Sequence, residues 1–94
     1  MSSPIVGEIR AAIERELAPV SLDIVDDSAR HTGHAGAREG GHFRLTLVAK
    51  AFSGRGQLER HRLVYAALAQ LMGRGIHALS IDARAPEETS ARSP

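Results

Sequence analysis

The chain has 94 residues, no cysteine and a formal net charge of +1, and 43% of its residues are hydrophobic. These totals predict one globular domain without disulfides or thiolate-only metal sites. No apolar run approaches the roughly 20 residues of a membrane span, and no basic region followed by an apolar one marks a secretory signal. We therefore expect a cytoplasmic protein that does not enter a membrane.

The charges are unevenly distributed along the chain. Residues 28–74 carry eight Arg or Lys against two acids, together with four of the five histidines, whereas residues 1–27 have a net charge of −4. The middle of the chain therefore predicts a basic surface suited to an acidic partner or to phosphate. The alternative is a solvated face with only a modest charge bias.

The first half of the chain predicts a helix followed by an antiparallel hairpin. An amphipathic helix is expected over about 4–17, and Pro19 ends it. A short strand over 22–26 and a second strand from His42 flank a polar loop, residues 28–41, which contains four glycines and two histidines. The second strand turns alternate residues to one face: Phe43, Leu45, Leu47 and Ala49.

The second half predicts a helix and a third strand. Apolar residues at helical spacing, with Tyr65 beside them, indicate a helix from about Leu58 to Met72, which Gly73 or Gly75 closes with a left-handed residue. A strand, a crossover helix and a strand in one sheet should be parallel. In the third strand we expect one face to carry His77, Leu79, Ile81 and Ala83.

Together these elements predict an α+β fold. Their order is α-β-β-α-β, and both helices are expected on one face of a three-stranded mixed sheet. The domain is predicted to span residues 1–86, and the polar residues 87–94 to form a disordered tail.

The histidines are the side chains with the most chemical potential. No nucleophile elbow, phosphate-binding loop or H-E-x-x-H pattern occurs, so we do not expect an enzyme. His77 opens the third strand, where its ring would either hydrogen-bond to the backbone or present one nitrogen outward. His31 and His34 form an H-x-x-H in the glycine-rich loop, which suits metal capture, although loop histidines are often only solvated. His42 and His61 are expected to be structural, or exposed in the case of His42.

The basic centre also allows a nucleic-acid hypothesis. Five cations would contact phosphate and make binding salt-dependent: Arg44, Lys50, Arg55, Arg60 and Arg62. Readout of single-stranded bases normally needs aromatic platforms. The chain has only three aromatic residues, two of which, Phe43 and Tyr65, are expected in the core.

Several blocks of sequence, in this order and spacing, resemble the BolA family. They run through about residues 5–86 and are Asp26-Asp27-Ser28 with His31, then His42-Phe43, Phe52-Ser53-Gly54, Arg60-His61-Arg62-Leu63-Val64-Tyr65 and Ile76-His77-Ala78-Leu79-Ser80-Ile81. Gly40-Gly41 and Thr89 depart from the family pattern, which has Glu-Ser/Thr at the first position and commonly Trp at the second. These departures would alter a partner surface rather than the candidate ligands.

The resemblance implies a KH-like fold of class II, which agrees with the predicted element order, and a partnership with monothiol glutaredoxins. In that family the pair holds a bridging [2Fe–2S] cluster, with thiolates from the glutaredoxin and its glutathione. The ligands from this chain would be His77 and a loop histidine, for which His31 and His34 both stand as candidates. No cofactor is expected on the isolated chain, which would be a monomer or weak homodimer. The resemblance also implies an alternative role as a DNA-binding transcriptional regulator.

Overall fold

The predicted order of helices and strands is confirmed over the residues that the computed structural model describes, 4–27 and 41–90. The elements, in chain order, are helix α1 (Pro4–Leu17), strands β1 (Ser21–Asp26) and β2 (Gly41–Val48), a 3-10 turn (Lys50–Phe52), helix α2 (Gln57–Ala67), strand β3 (Ile76–Arg84) and helix α3 (Pro86–Ser90). The α+β class is therefore confirmed.

The three strands form one mixed sheet with β2 in the centre. β1 pairs with β2 in the antiparallel sense, with Ser21 opposite Val48, and β3 pairs with β2 in the parallel sense, with Leu45 opposite Ile81. Both pairings agree with the prediction, since a hairpin makes antiparallel neighbours and a helical crossover makes parallel ones. As a result, β2 and β3 begin at the same end of the sheet.

Both helices pack on one face of the sheet. Alternate residues of β2 point toward them, and Phe43, Leu45 and Leu47 are at most 3% exposed. They belong to one buried cluster with side chains of α1, α2, the turn after α2 and β3, among them Ile9, Ile13, Val64, Leu68 and Ala83. Burying one such large aliphatic side chain stabilises the fold by roughly 1.5–3 kcal/mol. The intervening residue Arg44 is exposed on the opposite face.

Helix α2 ends at Ala67 rather than at the predicted Met72. The backbone carbonyl of Leu71 accepts hydrogen bonds from the N–H groups of residues 74–76, at 3.0 to 3.1 Å, which closes a tight turn before β3. Gly73, with φ of +80°, is the left-handed residue of this turn. Apolar side chains continue through the turn and still face the core, so their helical spacing predicts a longer helix than forms.

The structure differs from two further predictions for the second half of the chain. The prediction that Tyr65 belongs to the core is wrong, because its side chain is 40% exposed on the outer side of α2. The first residues of the predicted polar tail form α3, and residues 91–94 lie outside the described ranges. The domain boundary at residue 86 stays a prediction.

Candidate metal-binding site

A β-bulge at the start of β3 sets the position of His77. Gly41 lies opposite Ile76, but the next residue, His42, lies opposite Ala78, so that His77 is the extra residue. Bulges re-aim side chains and are frequent beside functional sites. Here Ile76 is fully buried, whereas His77 is exposed. The imidazole of His77 is therefore open to solvent at the end of the sheet.

His77 lies beside His42, where β2 and β3 begin. The two ring centroids are 5.3 Å apart and the ring planes are inclined by 45°. The prediction that His77 shares the core face with Leu79 and Ile81 is wrong, because a period of two assumes a strand without a bulge. His42 is half-buried on the face opposite Phe43, as predicted, but its contact with His77 is not. The sequence signal for this contact is a histidine at the start of each of two parallel strands.

The predicted loop ligands, His31 and His34, fall outside the described residues. The residues on either side of their loop are held at the same end of the sheet. The backbone N–H of Asp27 donates to the carbonyl of His42 at 2.7 Å, and that of Gly41 donates at 3.0 Å to the turn before β3. Both flanks of the loop are thus anchored beside the histidine contact.

A carboxylate lies beside His42 and pairs with a guanidinium. Oδ2 of Asp27 is 3.1 Å from Nη2 of Arg44. The Asp27 side chain is 18% exposed, and it lines the same hollow as His42, about 150 Å³ in volume, with walls from Phe43, Ala78, Leu79 and Ser80. Because Arg44 already pairs with a carboxylate, it is only partly available to a phosphate.

Arg60, the first residue of the R-H-R block, is a buried structural residue. Its guanidinium donates two hydrogen bonds to the carboxylate of Glu88, at 2.7 and 2.8 Å, and others to the carbonyls of Arg55 (2.8 Å) and Ala83 (3.0 Å). The residue is 4% exposed. This contradicts its prediction as a phosphate contact. The hydrogen bond from Arg60, and secondarily one from the backbone of Ala85, lowers the pKa of Glu88 to about 2.

The other predicted phosphate contacts do not form one surface. Arg55 is engaged with Glu59 at 2.9 Å. Lys50 and Arg62 are exposed, and neither makes an ion pair within the part of the chain that the structure describes. Arg44 lies on the sheet face away from α2, which carries Arg62. The five cations are thus divided between ion pairs, the interior and two sides of the sheet.

Imidazoles without thiolates limit what this site can hold. Within residues 4–27 and 41–90, no group of three or more His, Cys, Asp or Glu side chains is placed to hold a metal ion. The whole chain lacks cysteine. A closed metal site or a cluster at this end of the sheet therefore needs ligands from the loop or from another molecule.

The fold and the site define a small KH-like protein that carries a surface histidine on a bulged parallel strand. A family model described as BolA-like protein matches residues 13–88. The chain therefore belongs to the BolA-like family, which confirms the resemblance seen in its sequence blocks.

Curated relatives and solved structures agree with this membership. BolA-like protein 1 of Homo sapiens is 40% identical over 85 residues, which cover 90% of this chain and 61% of that protein. The DNA-binding transcriptional regulator BolA of Escherichia coli is 40% identical over 77 residues, which cover 78% of this chain and 71% of that protein. The structure of the BolA domain of SufE1 from Arabidopsis thaliana superimposes with a TM-score of 0.82 at 42% identity and covers 94% of this chain and 99% of that one. The chain thus spans less than two thirds of the human protein's length.

The predicted cellular location is only partly supported. No helix in the described ranges is both long and apolar enough to cross a bilayer. Two relatives from Arabidopsis thaliana have names that place them in chloroplasts or mitochondria. Cytoplasmic localisation accordingly stays a prediction.

Proposed function

We propose that this chain is an iron–sulfur adaptor that pairs with a monothiol glutaredoxin to hold a bridging [2Fe–2S] cluster, in iron–sulfur trafficking or in iron and redox sensing. The observation that carries the proposal is the exposed imidazole of His77 at the bulged start of β3. A cluster shared by two proteins lies at their interface, so each protein must offer its ligands at the surface. The role is one of ligation and recognition, not catalysis.

The donor set of this chain suits a shared cluster better than one held alone. Iron–sulfur clusters are normally held by Cys thiolates, and this chain has none. In the proposed complex the glutaredoxin and its glutathione supply thiolates, and this chain supplies imidazoles. Replacing thiolate by histidine raises the reduction potential of a [2Fe–2S] centre, and the histidine must be unprotonated to bind, which makes the complex sensitive to pH.

The second ligand from this chain is His31 or His34. His31 is four positions after Asp27, a stretch that spans at most about 14 Å when extended. His34 is seven positions from Asp27 and seven from Gly41, and each stretch spans at most about 25 Å when extended. Because both flanks are anchored beside the histidine contact, chain length permits either ligand. Separate His31→Ala and His34→Ala variants distinguish them, since only loss of the true ligand should weaken the cluster.

The proposal is tested by mixing the purified chain with a cluster-loaded monothiol glutaredoxin in the presence of glutathione. We expect a changed visible absorption and circular dichroism spectrum, because an imidazole replaces another ligand of iron. His77→Ala should abolish the change, whereas His61→Ala, a matched variant on α2, should leave it intact. An unchanged spectrum on mixing, or wild-type behaviour of His77→Ala, would reject the cluster role.

A DNA-binding role is the second candidate. One relative, from Escherichia coli, is named a DNA-binding transcriptional regulator. Lys50 and Arg62 are the two predicted phosphate contacts whose side chains are exposed without an ion pair in the described residues. Lys50→Ala and Arg62→Ala should each lower affinity and reduce the salt slope by about one. Binding without sequence preference, and only at low salt, would count against regulation.

A further inference from the structure

We infer that the free chain binds one divalent transition-metal ion between His42 and His77, a mononuclear site that needs no glutaredoxin. The two histidines begin adjacent parallel strands, so the sheet fixes the separation of their backbones. Their ring centroids are 5.3 Å apart. The inference shares His77 with the proposed function but does not depend on it.

The separation of the rings matches joint coordination of one ion. Two imidazoles bound to one ion have ring centroids roughly 5.2 Å apart. This distance follows from metal–nitrogen bonds of about 2.0–2.1 Å, a tetrahedral angle at the metal, and roughly 1.1 Å from each nitrogen to its ring centre. The observed 5.3 Å lies close to this value. The planes are inclined by 45° and therefore do not stack face to face. In the inferred site, one nitrogen of each ring binds the ion.

The surroundings favour an open site with two protein ligands. His77 is exposed, which leaves the remaining coordination positions to water. Asp27 lines the hollow with His42, and its negative charge balances that of Arg44 at 3.1 Å, so this pair adds no net positive charge beside His42. No third ligand group of the described residues completes the site.

The two imidazole ligands determine which metal ions the site prefers. Neutral imidazole suits Zn²⁺, Cu²⁺ and Ni²⁺, whereas Ca²⁺ and Mg²⁺ prefer oxygen ligands. Among the three, Cu²⁺ should bind most tightly by the general order of divalent affinities. Occupation of His77 by such an ion would also exclude it from a cluster, so the two uses of this residue compete.

The inference is tested by titrating zinc into the full chain. Binding is measured by calorimetry and by NMR of the histidine side chains. We expect one ion per chain, with shifts at His42 and His77. His42→Asn and His77→Asn should each weaken binding at least about tenfold, because even loss of a group that only supports a ligand costs 10–100-fold. His61→Asn is the matched control and should bind like wild type.

The double variant His31→Ala/His34→Ala tests whether the loop histidines bind the ion instead of His42 and His77. Retained zinc affinity in this variant supports the site between His42 and His77. Loss of affinity there, or wild-type affinity in His42→Asn, would overturn it, because the ion would then lie elsewhere. Retained amide dispersion in NMR spectra establishes that each variant is folded.

Copper gives a second readout that does not rely on affinity. In the electron paramagnetic resonance spectrum of the Cu²⁺-loaded chain, two imidazole nitrogens should couple to the ion. In His42→Asn or His77→Asn, only one should. Unchanged coupling in both variants would overturn the site. The glutaredoxin mixture tests the proposed function separately, so a failed zinc site and a failed cluster role are distinguishable.

Discussion

Arg60 and Glu88 form a two-point ion pair that joins α2 to α3, with Nη1–Oε1 and Nη2–Oε2 distances of 2.7 and 2.8 Å. The same guanidinium also donates to the carbonyl of Ala83 in β3. The carboxylate of Glu88 in turn accepts from the backbone N–H of Ala85 at 3.0 Å. One arginine therefore ties the end of the sheet to the helix that follows it.

Removing this arginine should lower the free energy of unfolding. Arg60→Ala removes the side-chain donor that two backbone carbonyls and the carboxylate of Glu88 share. We expect the free energy of unfolding to fall by about 2–3 kcal/mol. The loss is not larger because Glu88 remains in contact with solvent. Arg60→Lys should recover only part of it, since an ammonium cannot make the two-point contact. Urea unfolding measures the change.

The matched control lies two residues along the same helix. Arg62 is exposed and unpaired among the described residues, so Arg62→Ala should change stability by less than about 0.5 kcal/mol. Equal losses in Arg60→Ala and Arg62→Ala would contradict the structural role of Arg60.

The same pair predicts a specific acid sensitivity. Arg60 holds the pKa of Glu88 at about 2 in the folded chain, below its ordinary value of 4.5. A lowered pKa in the folded state means that the contribution of Glu88 to stability is fully present above pH 4.5 and is lost as pH falls toward 2.

Urea midpoints measured between pH 5 and about 2 for wild type and Glu88→Gln test this dependence. The wild type should lose stability more steeply than Glu88→Gln, because the variant has no proton to take up at this position. Parallel curves for the two proteins would show that Glu88 is not paired in solution.

The turn before β3 requires a glycine at position 75. A Cβ at Gly75 would lie 2.5 Å from Cδ1 of Ile5 on α1. Gly75→Ala should therefore cost about 1 kcal/mol, at the low end for overpacking because the end of Ile5 can move. In an Ile5→Ala background the cost should largely disappear, and thermal unfolding of the four proteins of the cycle measures this coupling.

Gly7→Ala in α1 is the control for this substitution. Apart from the chain neighbours and the backbone of its own helix, no atom of the described residues lies within 4 Å of the Cβ it would add. Gly7→Ala should therefore stabilise the helix by about 0.5–1 kcal/mol. A destabilising Gly7→Ala, or a Gly75→Ala cost that persists without Ile5, would contradict the packing described.

Local patterns in the sequence predict much of the fold. The alternation from Phe43 to Leu47 corresponds to the buried face of β2, and the bounds predicted for the first helix, 4–17, match those of α1. The features that pattern reading misses depend on distant partners. Two of the hydrogen-bond partners of Arg60, Ala83 and Glu88, are 23 and 28 residues away, and nothing local marks Arg60 as buried.

The site shows the same limit. The bulge that turns His77 outward arises from the pairing of β2 with β3, so a period of two applied to β3 alone assigns the wrong face. His42 was expected to be structural or exposed, and its approach to His77 requires the parallel register of two strands. The sequence offers His77 as a candidate ligand but not His42, and the contact between the two rings requires the tertiary structure.

The central claim is that His77 ligates iron in a cluster shared with a monothiol glutaredoxin. It is tested by pulsed electron paramagnetic resonance of the reduced complex, in which only this chain carries ¹⁵N-labelled histidine. The account predicts strong coupling of two histidine ¹⁵N nuclei to the cluster, from His77 and from the loop ligand. His77→Ala should remove the coupling of at least one of them, and His61→Ala should preserve both. A cluster without ¹⁵N coupling, or coupling in His77→Ala identical to that of the wild type, would contradict it.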